Sequence, residues 1–156
     1  YSMDEFAIAR ALHVIAVVMW IGSVSFTTFI VLPVLLRGTV TGESTDTFEQ
    51  IEARVAQQAK YSTQITGLTG LYMLYVLDGW ERLLDPAQWW LHAMIFIYLV
   101  FTVVIFVLEP LVLHKWFEEQ ASTNPQRVLG LVFKAHIVLI TLSFLTIAAA
   151  VIGVHG

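Results

Sequence analysis

Five histidines and four methionines supply all the soft or borderline metal-ligating side chains of this 156-residue sequence, which contains no cysteine. That absence excludes disulfides, iron–sulfur clusters, thiolate zinc sites and a cysteine nucleophile. His13, His92, His114, His136 and His155 all lie within or at the ends of apolar stretches. A polar ring is costly in hydrocarbon, so histidines in such places are functional candidates. Two imidazoles facing each other across a helix bundle make a natural axial pair for haem iron.

His13 and His92 form the first such pair. The face Ala9–His13–Ala16–Trp20–Ser23–Thr27 is mostly small and leaves room for a flat macrocycle between helices. Arg10 lies one turn outward from His13 and suits a haem propionate, and Trp20, in the middle of a span, suits stacking on a cofactor. His114 and His136 form a second, inner pair. His92 and His114 are 22 residues apart. On a straight helix that separation corresponds to about 40° of rotation and about 33 Å of rise. Each assignment has a plainer competitor: His13 and His92 as interhelical hydrogen-bond donors, His114 as a solvated interfacial residue, Trp20 as core packing and His155 as a loose terminal residue. Glu109, beside Pro110, suits a proton relay or a pair with Lys134. Thr63, Thr66, Gly67, Thr69 and Gly70 give one helix a small polar face suited to close packing.

The elements that must position these groups are helices. Apolar residues make up 58% of the chain and charged residues 13%, against roughly 45–50% and 25% in soluble domains. Four stretches are candidate spans, at 6–36, 61–77, 89–116 and 128–154. About 20 helical residues cross the hydrocarbon, and runs this long without alternation exclude strands. Residues 46–60 form a helical cytoplasmic extension, with Asp46/Glu49 or Thr47/Gln50 as a capping box. Phe48, Ile51, Val55 and Ala59 make its apolar stripe, while Glu49, Glu52, Arg54 and Gln57 face away. Thr123-Asn124-Pro125 marks the turn between the last two spans. The expected fold is therefore all-α: one integral-membrane domain over residues 1–156, an up-down bundle of four transmembrane helices.

Positive residues orient it. The links after spans one and three hold Arg37, Arg54, Lys60, Lys115, Arg127 and Lys134, whereas the other side holds Arg10 and Arg82. This places both termini on the periplasmic side. Trp80, Trp89 and Trp90 then anchor the outer interface and Trp116 the inner one. The acidic start and long first span do not read as a cleavable signal peptide. A net charge of −4 argues against nucleic acid as a partner.

Leu12-His13, Trp20-Ile21-Gly22 and Pro33 resemble the first-helix pattern of two related groups, the copper-resistance protein D (CopD) family and the HemJ-type protoporphyrinogen oxidases. Thr66-Gly67 resembles the T-G of their second helix, and Trp90-Leu91-His92-Ala93 the W-x-H-x opening of the HemJ third helix. The likeness is scattered over spans one to three. It implies a small helix bundle of the bacterial cytoplasmic membrane, with haem b bound through the first-helix histidine, His13 here. Two positions depart from the HemJ pattern. Met94 stands where that group has lysine, and Lys134-Ala135-His136-Ile137 replaces its Asn-Glu-x-Pro.

The resulting expectation is a membrane b-type cytochrome. It binds one haem b at His13 and His92, with a second at His114 and His136 as an extension of the same reading. Electrons pass between a quinol or periplasmic donor and a redox partner or small oxidant. The alternatives are copper handling of CopD type, using His13, His92 and Met94 with His155 and Met73, a HemJ-like porphyrinogen oxidase, and a metal-free structural or assembly subunit. The expected partners are the lipid bilayer, a quinone or redox protein, and a second copy in a homo-oligomer.

Overall fold

The structure is a computed structural model that describes residues 2–77 and 79–155, with the side chains of Val154 and His155 outside the description. The side-chain placement of His155 therefore lies outside the described residues. Four long helical elements follow one another: α1 (Met3–Leu36), α2 (Gly42–Val76), α3 (Pro86–Thr123) and α4 (Pro125–His155). Among the described residues no strand occurs. α1, α3 and α4 are long and apolar enough to cross a membrane. Ile8, Ile15, Val18, Phe26, Leu111, Leu145 and Ile152 stand among many large apolar side chains exposed on the bundle surface. Apolar residues facing outward in this number match a lipid-facing exterior.

Local chemistry sets the helix boundaries. Ser2 Oγ accepts from the Glu5 N–H at 3.1 Å and starts α1. Gly38, at φ 78°, supplies the left-handed residue that turns the chain towards α2. α2 begins at a capping box of Thr41 and Ser44, four residues before the expected start at Asp46. At the predicted 123–125 turn, Asn124 Oδ1 accepts from the Arg127 N–H at 3.1 Å. Pro125 opens α4, where its missing N–H leaves no bond unmade.

Two stretches widen into π-helix, Thr27–Val31 ahead of Pro33 and Val104–Leu113 around Pro110. A proline has no N–H to give the carbonyl one turn back, and a wider i→i+5 turn accommodates the gap without breaking the helix.

Two apolar clusters hold the bundle together. Trp20, Ile21, Val24, Ala59, Ile97, Phe101, Ile105 and Ile140 form one, and Val31, Leu32, Phe48, Phe117, Val128 and Leu129 the other. α1 packs most extensively on α2. The small polar face of α2 is what permits this. Thr63 donates to the Ala59 carbonyl at 2.6 Å and Thr66 to the Ser62 carbonyl at 2.8 Å, so buried hydroxyls are satisfied within their own helix. Gly67 lies so close to Tyr98 of α3 that an added Cβ would sit 2.5 Å from the phenol oxygen.

Residues 46–60 are helical and do not stand apart from the bundle. Phe48 is buried against Phe117, Ala59 joins the first cluster, and Gln58 Nε2 donates to the Met19 carbonyl at 2.9 Å. The charged half of α2 thus runs antiparallel beside the apolar second half of α1. The stripe of Phe48, Ile51 and Ala59 is the physical reason, since it is apolar enough to be drawn onto the clusters.

Candidate functional site

The topology sorts the histidines to two ends. The termini end holds the start of α1, the 77–88 link and the end of α4, with His13 and His92. The turn end holds the 37–41 and Asn124 turns, with His114 and His136.

At the termini end His13 is half-buried between α1 and α2. Its Nδ1 lies 3.0 Å from the Thr66 carbonyl and 3.0 Å from Thr69 Oγ1. A carbonyl only accepts, so Nδ1 carries the proton and donates, and Nε2 keeps the lone pair. Gly70 faces the ring, with an added Cβ falling 3.3 Å from His13 Cε1. The small face of α2 therefore packs and also positions this imidazole.

His92, in the first turns of α3, donates from Nε2 to the Leu83 carbonyl at 2.7 Å. That bond ties the 3₁₀ segment Gly79–Leu84 to the helix and leaves Nδ1 as the acceptor. Trp90, two residues earlier, lies directly against Gly153 of α4, where no Cβ would fit. Arg10 is exposed and forms no ion pair among the described residues. Trp20 is 3% exposed, packs edge-on to Phe101 at 5.0 Å, and its indole N–H is buried without a partner. Met73 and Met94 are half-buried and make no hydrogen bond to either histidine. Among the described residues no hydrogen bond or ring contact joins His13 to His92.

At the turn end His136 donates from Nδ1 to the Val132 carbonyl of its own helix at 2.8 Å and meets Phe48 edge-on at 6.4 Å. His114 points elsewhere, with Nε2 3.2 Å from Glu118 Oε1 and both side chains 56% exposed. No hydrogen bond or ring contact joins these two histidines among the described residues. Glu109 and Lys134 form no ion pair there either.

The residues that sequence reasoning missed are acidic. Glu49 on α2 converges on His114 and Glu118, with one ligand atom from each within 4.8 Å of the others. Glu52, expected to face away, is turned inward, and its Oε2 is buried without a hydrogen-bond partner. Burial and then the Glu109 carboxylate push its carboxyl up to about 7. Glu49 is also raised, by burial and by Glu118. The spacing of His114 and Glu118, one helical turn apart, was visible in the sequence; the arrival of Glu49 from another helix was not.

Comparison with family models, with curated proteins and with solved structures finds no match to this chain.

Proposed function

We propose that this chain is a four-span b-type cytochrome of the bacterial cytoplasmic membrane, with periplasmic termini and one haem b held at the termini end by His13 and His92. One observation carries the reading. His13 donates its Nδ1–H to the Thr66 carbonyl at 3.0 Å. A ring held in this way has a fixed tautomer and a more basic free nitrogen, which is how ligating histidines are supported. His92 repeats the pattern with the other nitrogen, through Leu83.

When bound, the haem supplies one-electron transfer between a quinol or periplasmic donor and a partner. The chain's own groups orient it. Arg10, exposed one turn from His13 and without an ion pair among the described residues, attracts a propionate. The buried indole N–H of Trp20 offers a donor without a competing partner. The scattered resemblance to CopD and HemJ proteins supports the same histidine. The reading rests on this pair alone; at the other end His114 faces Glu118 and His136 donates to the Val132 carbonyl of its own helix.

The test is optical. Purified membranes of cells expressing the chain should show a Soret band that sharpens on reduction, with a pyridine haemochrome value of one haem per chain. The band should vanish in His13→Ala and persist in His155→Ala. An identical spectrum in both variants sinks the assignment.

A further inference from the structure

We propose that Glu49, His114 and Glu118 form a binding site for a divalent first-row metal ion such as Zn²⁺, clipping α2 to the second half of α3 at the turn end of the bundle.

Three ligand atoms, two carboxylate oxygens and one imidazole nitrogen, lie within 4.8 Å of one another. Donors bound to one ion at about 2.0–2.2 Å lie roughly 3.0–3.5 Å apart. The His114–Glu118 separation of 3.2 Å already falls in that range. One small rotamer adjustment of Glu49 completes the set. Imidazole with carboxylates suits a borderline ion such as Zn²⁺ and disfavours Cu(I), which prefers sulfur. Two carboxylates balance the charge of a divalent ion. The exposure of His114 and Glu118 leaves the remaining coordination positions to water.

The ligands are placed by packing. Glu49 follows Phe48 and Glu118 follows Phe117, and these two rings pack with centroids 5.6 Å apart. The contact between α2 and α3 therefore exists before any ion arrives. His114 itself opens the last α-helical stretch, directly after the π segment ending at Leu113.

The charge around the three ligands also favours a cation. Glu52, one turn along α2 from Glu49, adds a further carboxylate to the same helix, its Oε2 buried with no partner. The Glu109 carboxylate acts on both Glu52 and Glu49. Among the described residues none of Glu49, Glu52 and Glu109 is paired with a lysine or arginine. Glu49 thus meets the carboxylates of Glu118, Asp46 and Glu109 against the single imidazole of His114, an excess of negative charge that a divalent ion would neutralise.

Full-length protein in detergent micelles, stripped with a chelator, should be titrated calorimetrically with ZnCl₂. The expected result is one Zn²⁺ per chain, with affinity at least tenfold weaker in Glu49→Gln and in His114→Asn and unchanged in Glu43→Gln. Zn²⁺ should also raise the melting temperature of the parent protein and not that of His114→Asn. Co²⁺ added to the parent protein, where no variant is needed, should give visible absorption bands of mixed nitrogen and oxygen ligation. No binding by the parent protein, or equal binding by all variants, overturns the proposal.

Discussion

His13 and His92 at the termini end and His114 at the turn end are held in opposite ways, while His136, like the first two, donates to a carbonyl, that of Val132 in its own helix. At the termini end His13 and His92 each donate a ring proton to a carbonyl of another segment, Thr66 in α2 and Leu83 in the link. Each ring is fixed by that bond, with its other nitrogen left outside it. At the turn end His114 faces Glu118 in the open, with Glu49 beside them. A carbonyl-anchored imidazole is preorganised as a ligand for a flat macrocycle. An exposed imidazole among carboxylates is suited to a hydrated ion. The same residue type does different chemistry according to what its second nitrogen meets.

The largest effect that separates the ends should come from Glu52. Its carboxyl is raised above the unfolded value to about 7, so the folded state holds the proton more tightly. The associated stability is fully present below the unfolded pKa and is lost as pH rises towards 7. Glu52→Gln should remove that slope and leave the protein more stable at pH 8, by at most about 3 kcal/mol. Thermal melts of both proteins in detergent between pH 4.5 and 8 measure it. A parallel pH dependence in the two would show that Glu52 is not held protonated by its surroundings.

Next comes the His13 cradle. Gly70→Val places methyl groups where the ring now lies, since even a Cβ would be 3.3 Å from Cε1. Overpacking of this kind costs roughly 1–3 kcal/mol. The melting temperature should fall, together with the Soret absorbance per chain. Gly130→Ala is the control, because nothing lies within 4 Å of its added Cβ.

Besides removing the second proposed haem ligand, and with it the native Soret spectrum, His92→Phe should change stability less than Gly70→Val does. It removes the bond to the Leu83 carbonyl, a loss of about 1 kcal/mol. Limited proteolysis should then cut the 77–88 link faster, while the turn end keeps its Zn²⁺ affinity. The smallest is Thr69→Val. Nδ1 of His13 keeps the Thr66 carbonyl, so stability should move by less than about 1 kcal/mol and the reduced spectrum should stay in place. A large spectral shift would make the Thr69 hydroxyl, rather than the carbonyl, the group that sets the ring.

Much of the fold was legible in the sequence because it depends on short-range chemistry. Long apolar runs dictate helices, and Asn124 and Pro125 start α4, whereas the π turns ahead of Pro33 and around Pro110 emerged only in the structure. The threonine and glycine face of α2 was read as a packing surface, and it packs. The histidines could be ordered by depth from helix direction alone. Their partners could not. No spacing rule joins His13 to Thr66, 53 residues away, or brings Glu49 to His114.

The charged half of α2 shows the boundary most clearly. Its charges were read as facing away from an apolar stripe, and the stripe packs, yet Gln58 reaches the Met19 carbonyl and Glu52 is turned inward. By itself the sequence determined helices, their apolar exteriors and the pool of available ligands, since those follow from composition and neighbours within a turn. Tertiary structure decided which imidazole nitrogen is free and which carboxylates converge. Both depend on the rotation of one helix against another, set by how Phe48 meets Phe117 and how Gly70 admits His13.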